Sequence, residues 1–264
     1  MPNPPGSFIW YELMSPDVDG SKTFYDAVVG WSIETSSTFP NGYRMIGRED
    51  GKFAGGVMPL TDEMRAHGAR PVWLGYIGVA GVDAIAKEIE EDGGSVLMPP
   101  FDIPNVGRVA MVTGPEGAPF YLMDPVPPES DPNASSDVFS VDQPQHVRWN
   151  ELWSSDPSKS VEFYTGRFGW VQNGDMDMGD MGKYQFFELD GTMIGAVMPT
   201  MPDMPQAMWN FYIGVDDIDR AAEAVKAGGG QVINGPQEIP GGEYAVNGID
   251  PQSAFFGLVG PRKK

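Results

Sequence analysis

The sequence predicts an α+β protein: four βαβββ modules in two tandem copies, giving mostly antiparallel sheets with helices on one face. Three observations carry this reading: an internal duplication, a repeated order of strand and helix signals, and a composition able to fill two cores. At 264 residues the chain is too long for one compact core and too short for three ordinary domains. A hydrophobic share of 41% suits packed interiors rather than disorder.

The duplication is the strongest signal. Residues 8–31, FIWYELMSPDVDGSKTFYDAVVGW, are answered by residues 147–170, VRWNELWSSDPSKSVEFYTGRFGW. Trp10 and Trp149, Phe24 and Phe163, and Trp31 and Trp170 all recur at a spacing of 139 residues. Val57-Met58-Pro59 returns 140 residues later as Val197-Met198-Pro199, and Trp73, Tyr76, Val79 and Asp83 return 136 residues later as Trp209, Tyr212, Val215 and Asp219. Near the end of each copy, GPEGAPFYL from Gly114 answers DPQSAFFGL from Asp250. Between the copies, Pro125-Val126-Pro127-Pro128 and the Asp/Ser-rich residues after it favour an extended spacer or loop. The expected division is a first domain over 1–125, a linker over 126–146 and a second domain over 147–264.

Each copy repeats one grammar. Phe8–Leu13 alternates with the period of a half-buried strand. Asp17 is placed to cap a helix carrying the pairs Phe24/Val28 and Tyr25/Val29, and Gly30 is placed to end it. In the second copy Asp156-Pro157 sets a cap before a proline at the first helical position, and Gly169 closes. Strand signals follow near Tyr43–Ile46 and Phe53–Met58. The pattern then restarts with a strand over Val72–Val79, a helix over Val82–Glu91 and a stop at Gly93-Gly94. Further strands are expected near Ser95–Met98, Val109–Val112 and Phe120–Met123. The modules fall at about 8–60, 72–124, 147–199 and 208–259.

Composition excludes several function classes. Acidic residues outnumber basic ones 37 to 17, a net charge of −20, which repels nucleic-acid backbones and anionic lipid surfaces. Cysteine is absent, so disulfides, thiolate metal sites and cysteine nucleophiles are excluded. The only histidines are His67 and His146. No apolar run approaches the roughly 18–20 residues that cross a bilayer, and the first residues lack the pattern of a secretory signal, so a cytoplasmic location is expected. No nucleophile elbow, Walker A loop or dinucleotide fingerprint occurs. Asp175-Met176-Asp177-Met178-Gly179-Asp180 lacks the ligand order of an EF-hand and reads as a hairpin loop.

Four βαβββ modules, each copy opening with W-x-E-L and F-Y-x-x-x-x-G-W and carrying W-x-x-Y-x-x-V-x-x-x-D at its fifth strand, resemble the vicinal oxygen chelate superfamily of glyoxalases, bleomycin-resistance proteins and extradiol dioxygenases. The resemblance covers nearly all of the chain outside linker and termini. It is strongest to the two-domain glyoxalase-like branch often labelled hydroxylases. It implies cupped sheets that hold a small-molecule substrate and often a divalent metal. The metal ligands are expected on the first, fifth and last strands of a cup. Those positions fall on Trp10 and Trp149, on the stretches beginning at Trp73 and Trp209, and on Tyr121 and Gly257. The resemblance therefore implies no cofactor: a divalent metal is conceivable, but its ligand positions are lost.

Glu12 and Glu151 are the candidate catalytic residues, because Trp10 with Glu12, and Trp149 with Glu151, share one face of an alternating strand. A carboxylate beside an indole in a partly dry cup suits general acid–base work; the alternative is a bracing role in the sheet. Trp10, Trp73, Trp149 and Trp209 are candidate substrate-binding residues that would floor the cups for a flat ligand, or else ordinary core. Tyr76 and Tyr212 orient a carbonyl or phenolic ligand or cap a buried carbonyl. Arg108 is a candidate anion anchor or a surface salt bridge. Arg108 and Tyr121 lack matching residues in the second copy, so the cups are expected to differ and the first is favoured. The expected partner is a small molecule, with no nucleic acid or membrane. The chain is expected to be a monomer containing an internal pseudo-dimer, or a homodimer. Two functions stand open: an enzyme on a small oxygenated or aromatic metabolite, and a non-catalytic binder.

Overall fold

The computed structural model describes residues 3–201, 204 and 206–263. Of the methionine-rich stretch 198–208, residues 202, 203 and 205 lie outside the described ones. The element order repeats as the sequence predicts. The first copy runs β1 (Phe8–Ser15), α1 (Val18–Val29), β2 (Ser32–Ile33), β3 (Arg44–Gly47), β4 (Phe53–Pro59), a short helix α2 (Asp62–Ala66), β5 (Val72–Gly78), α3 (Val82–Glu91), β6 (Ser95–Ile103), β7 (Gly107–Thr113) and β8 (Pro119–Pro125). The second runs β9 (Val147–Ser154), α4 (Pro157–Phe168), β10 (Val171–Asp177), β11 (Lys183–Leu189), β12 (Thr192–Pro199), β13 (Met208–Gly214), α5 (Ile218–Ala227), β14 (Gln231–Glu238), β15 (Tyr244–Ile249) and β16 (Phe255–Gly260). Each copy contributes an eight-stranded sheet, ordered β2-β3-β4-β1-β5-β8-β7-β6 and β10-β11-β12-β9-β13-β16-β15-β14. The hairpins are antiparallel, while the first and last strands of a module pair in parallel, as β1 does with β4 and β13 with β16.

The helix signals have the expected physical basis. Asp17 accepts from the amide of Gly20, and Asp156 from that of Lys159 behind Pro157, so the first orphan amides of α1 and α4 are satisfied. Gly30 and Gly169 take φ of 84° and 66°, left-handed values that end each helix without the strain a side chain would add. In α3 the buried stripe is Val82, Ala86 and Ile89. The strand β2 is too short to show a period, and α2, with no buried residue, has no apolar face to announce it. The opening strands differ from expectation more substantially. β1 and β9 are buried on both faces over most of their length, so Glu12 and Glu151 are only 1% and 5% exposed.

Two compact units form, and each draws modules from both copies. One comprises Met1–Trp10, Gly75–Asp137 and Asn150–Trp209; the other comprises Tyr11–Leu74, Val138–Trp149 and Asn210–Lys264. Within the first, α4 presents Tyr164 against Trp170 (5.2 Å, stacked) and Trp209 (5.3 Å, edge-on), and Trp170 donates through Nε1 to the carbonyl of Gly6 at 2.8 Å. The Tyr164 hydroxyl donates to Glu116 Oε1 at 2.8 Å. Within the second, Tyr25 of α1 meets Trp73 edge-on at 5.4 Å, and Trp31 Nε1 donates to the carbonyl of Gln145 at 2.9 Å. The Tyr25 hydroxyl accepts from Trp73 Nε1 at 2.9 Å and donates to Asp250 Oδ2 at 3.0 Å. The F-Y-x-x-x-x-G-W repeat is thus the packing seam of each unit.

Nor is the segment 126–146 a bare spacer at its far end. Ser136 donates through Oγ to the carbonyl of Ile9 at 2.6 Å, and Gln145 bridges the Gly30 carbonyl and the Glu49 amide.

Burial pushes the carboxyls of Glu116 and Asp250 above their ordinary range, and it pushes the phenols of Tyr164 and Tyr25 well up. Two predictions follow from these seams. Tyr25→Phe and Tyr164→Phe each take the phenol donor from a buried carboxyl and should cost about 1–3 kcal/mol in urea unfolding; a loss indistinguishable from zero would remove these pairs from the fold's energetics. A carboxyl whose folded pKa is raised binds its proton more tightly folded than unfolded. Its stabilisation is therefore complete below the unfolded pKa and lost as pH rises through the folded one. Against Glu116→Gln, the wild-type Tm should fall as pH rises above the ordinary glutamate range in calorimetry; parallel Tm profiles would contradict the shift.

Candidate functional site

The face of each sheet opposite the helices is set by strand alternation. In β13, Trp209 meets Tyr164 of α4, and in β16, Phe256 meets Phe24 of α1 at 5.7 Å. Asn210 and Tyr212 on β13, and Gly257 on β16, alternate with these residues and point to the open face. Tyr212 pairs in register with Gly257, and Gly257 in turn with Asn247. The same positions in the first copy are Leu74, Tyr76, Tyr121 and Met111, with Tyr76 in register with Tyr121 and Tyr121 with Met111.

The two open faces are chemically different. On β5 and β8, Tyr76 and Tyr121 stack at 4.3 Å with 17° between their planes. On β13 and β16 the second tyrosine is missing, and Tyr212 lies down over Gly257, where a Cβ would meet its ring at 2.6–3.0 Å. Beside it Asn210, fully buried, donates through Nδ2 to Oδ1 of the half-buried Asn247 at 2.9 Å. Sequence reasoning missed this amide pair. Its signal was the replacement of Leu74 by Asn210, and of Met111 by Asn247, in otherwise matching strands.

The carboxylates lie on the opening strands. Glu151 accepts from Trp153 Nε1 at 2.7 Å on Oε1 and from the Tyr184 hydroxyl at 2.6 Å on Oε2. Tyr184 directly follows Lys183 at the start of β11, and its match in the first copy is Tyr43, just before β3. Tyr43 lies over Gly56, where a Cβ would collide with its ring and hydroxyl, and Gly56 is the register partner of Glu12. A phenol thus accompanies the carboxylate in both copies. The repeat of Tyr43-Arg44-Met45 as Tyr184-Gln185-Phe186 was the signal that could have revealed it. Met14 stands where Trp153 donates, so the two carboxylates do not share a donor set.

Other candidate residues fall elsewhere. Trp73 and Trp209 are 3% exposed and packed on the helical tyrosines, so they do not floor a ligand site; Trp10 and Trp149 remain half-buried on the faces of Glu12 and Glu151. Arg108 does not present itself to an anion. It grips Asp83 through Nε and Nη2 at 2.5 and 2.8 Å and reaches Asp102 at 3.0 Å. These bonds raise the Arg108 pKa and lower that of Asp83, and a shallow cavity of about 390 Å³ beside Asp102 and Asp124 is the surface they border. The second copy keeps the pairing with different parts: Asp219 accepts from Arg262, whose guanidinium lies 4.1 Å over the ring of Tyr244. With Arg108 committed to carboxylates, Tyr121 is what still distinguishes the first copy.

The metal that the fold implies does not fit these residues. The first-strand position carries an indole in both copies, the fifth-strand stretches offer no imidazole, and the last-strand position holds either a phenol stacked on its neighbour or a glycine without a side chain. Indole supplies no lone pair for a cation. His67 sits exposed at the end of α2, and His146 precedes β9. No described helix is long and apolar enough to cross a membrane.

Comparison with known proteins agrees with this architecture. The Glyoxalase/Bleomycin resistance protein/Dioxygenase superfamily matches residues 7–122 and 143–255. A protein of Mycobacterium tuberculosis named "Putative glyoxylase CFP32" is 31% identical over 96% of this chain and 94% of its own length. The "Anthracycline biosynthesis protein DauV" of a Streptomyces species is 30% identical over 97% and 93%. Among solved structures, the Mn(II)-bound glyoxalase of Novosphingobium aromaticivorans is similar with a TM-score of 0.65 at 16% identity, covering 98% of this chain and 83% of that one. The 2,2',3-trihydroxybiphenyl 1,2-dioxygenase of Sphingomonas wittichii gives 0.64 at 15%, covering 97% and 90%. At such identities these two speak for the fold alone. With both copies matched by the family and full-length relatives above 30% identity, the chain belongs to the glyoxalase/bleomycin resistance protein/dioxygenase superfamily.

Proposed function

We propose that this chain takes a flat, oxygenated aromatic metabolite on the open face of its sheets and handles it without a family-type metal, using the Glu151–Tyr184 pair and its counterpart Glu12–Tyr43. The observation that carries the reading is the 2.6 Å bond from the Tyr184 hydroxyl to a carboxylate that is almost wholly buried. In that geometry the phenol oxygen keeps a lone pair for a ligand hydroxyl or acidic C–H. A proton arriving there displaces the phenol's own proton to Glu151, so the pair can act as a relayed general base. The name of the Streptomyces relatives supports this ligand class, because an anthracycline is a planar, phenol-bearing ring system.

One observation favours a non-catalytic binder instead. Both oxygens of Glu151 already accept from the protein, an arrangement that also suits an anion held fixed to recognise a hydroxyl. Titration with 2-hydroxyanthraquinone after chelator treatment tests the shared part of the two readings. Tyr184→Phe and Glu151→Gln should each weaken binding about tenfold or more, the worth of a hydrogen bond to a charged group. Unchanged affinity in both variants would refute the proposal.

A further inference from the structure

The Asn210–Asn247 pair is not used by that chemistry. Asn210 is fully buried, its Nδ2 is committed to Asn247, and among the described residues nothing donates to its Oδ1. Buried polar atoms are nearly always satisfied, because stranding one costs the full desolvation of the group. The first copy avoids the cost entirely by placing Leu74 and Met111 at the same positions, so the fold does not require an amide there. The second copy therefore carries a polar group that the sheet itself does not need, on the open face and beside a tyrosine laid flat over Gly257. Its partner Asn247 is half-buried on that same face.

From this we infer that Asn210 is a specificity-determining residue of the second copy: its Oδ1 accepts a hydrogen bond from an uncharged O–H or N–H of the ligand, with Asn247 fixing the amide's orientation. The inference rests on the reading of the open face as a ligand site, and it adds the ligand's chemistry there. An uncharged donor is favoured because a carboxamide carries no formal charge to balance an ion in a buried position. A ligand lacking the donor is rejected because it leaves Oδ1 stranded, the same asymmetry by which hydrogen-bonding sites reject analogues without the bonding group. The first copy, lined at these positions by leucine and methionine, has no such preference.

The test compares 2-naphthol with 2-methoxynaphthalene, which differ in the donor, by calorimetric titration of the intact chain. Wild type should prefer 2-naphthol about tenfold, and Asn210→Leu, which copies the first repeat, should abolish the preference while leaving the methoxy compound bound as before. Thermal unfolding of the ligand-free variant separates this from a bracing role: Tm should stay level or rise, since a stranded polar atom has been removed. A lowered Tm with the preference intact would make Asn210 a structural brace and overturn the inference. A preference lost in Glu151→Gln but kept in Asn210→Leu would assign the hydroxyl to Glu151, overturning the inference while sparing the proposed function. Failure of both naphthalenes to bind would overturn the two together.

Discussion

Each first helix has a tyrosine whose hydroxyl must be buried, and in both cases the partner is a carboxyl from the other copy. Tyr25 of the first copy finds Asp250 of the second, and Tyr164 of the second finds Glu116 of the first. Around these bonds the G-W tryptophans dock through Nε1 onto backbone carbonyls, Trp31 on Gln145 of the linker and Trp170 on Gly6 of the first copy. A buried phenol and a buried carboxyl are each costly alone and acceptable together, so the seam works only when both copies are present. This is why the compact units combine modules across the duplication. The carboxyl comes from the first residue of DPQSA in one unit and from the third of GPEGA in the other, so the same physical requirement has been met from two places in the turn.

With the helical faces occupied by this seam, the open faces were left to diverge. One carries two stacked tyrosines; the other carries a tyrosine over glycine and a pair of amides. Both lack the donors that a divalent cation needs, and both keep a phenol near a buried glutamate on the opening strand. The polar groups gathered there are carboxylate, phenol and amide, all of them hydrogen-bonding groups.

Much of the scaffold was legible in the sequence because it rests on local rules. Caps at Asp17 and Asp156, stops at Gly30 and Gly169, and the strict repeat spacing all act within a few residues or by self-comparison. The site was less legible. Alternation shows that Trp73 and Tyr76 lie on opposite faces, but not which face the helices cover, and so it leaves Trp73 and Trp209 open between a ligand floor and ordinary core. Arg108 stays open between an anion anchor and a surface salt bridge in the sequence because its partners, Asp83 and Asp102, meet it only through the fold. Glu12 and Glu151 stand out as candidates through their repeat, whereas Tyr43, Tyr184, Asn210 and Asn247 do not. Their importance depends on register between strands, which a single sequence does not display.

The chain retains the superfamily's fold, and on the function proposed above its open faces work through hydrogen-bonding groups without a family-type metal. Electron paramagnetic resonance of Mn²⁺ added in equimolar amount to chelator-treated protein, at physiological salt, tests it most directly. The account predicts the undiminished six-line spectrum of the free aqua ion. Stoichiometric loss of that signal, restored by a competing chelator, would contradict it.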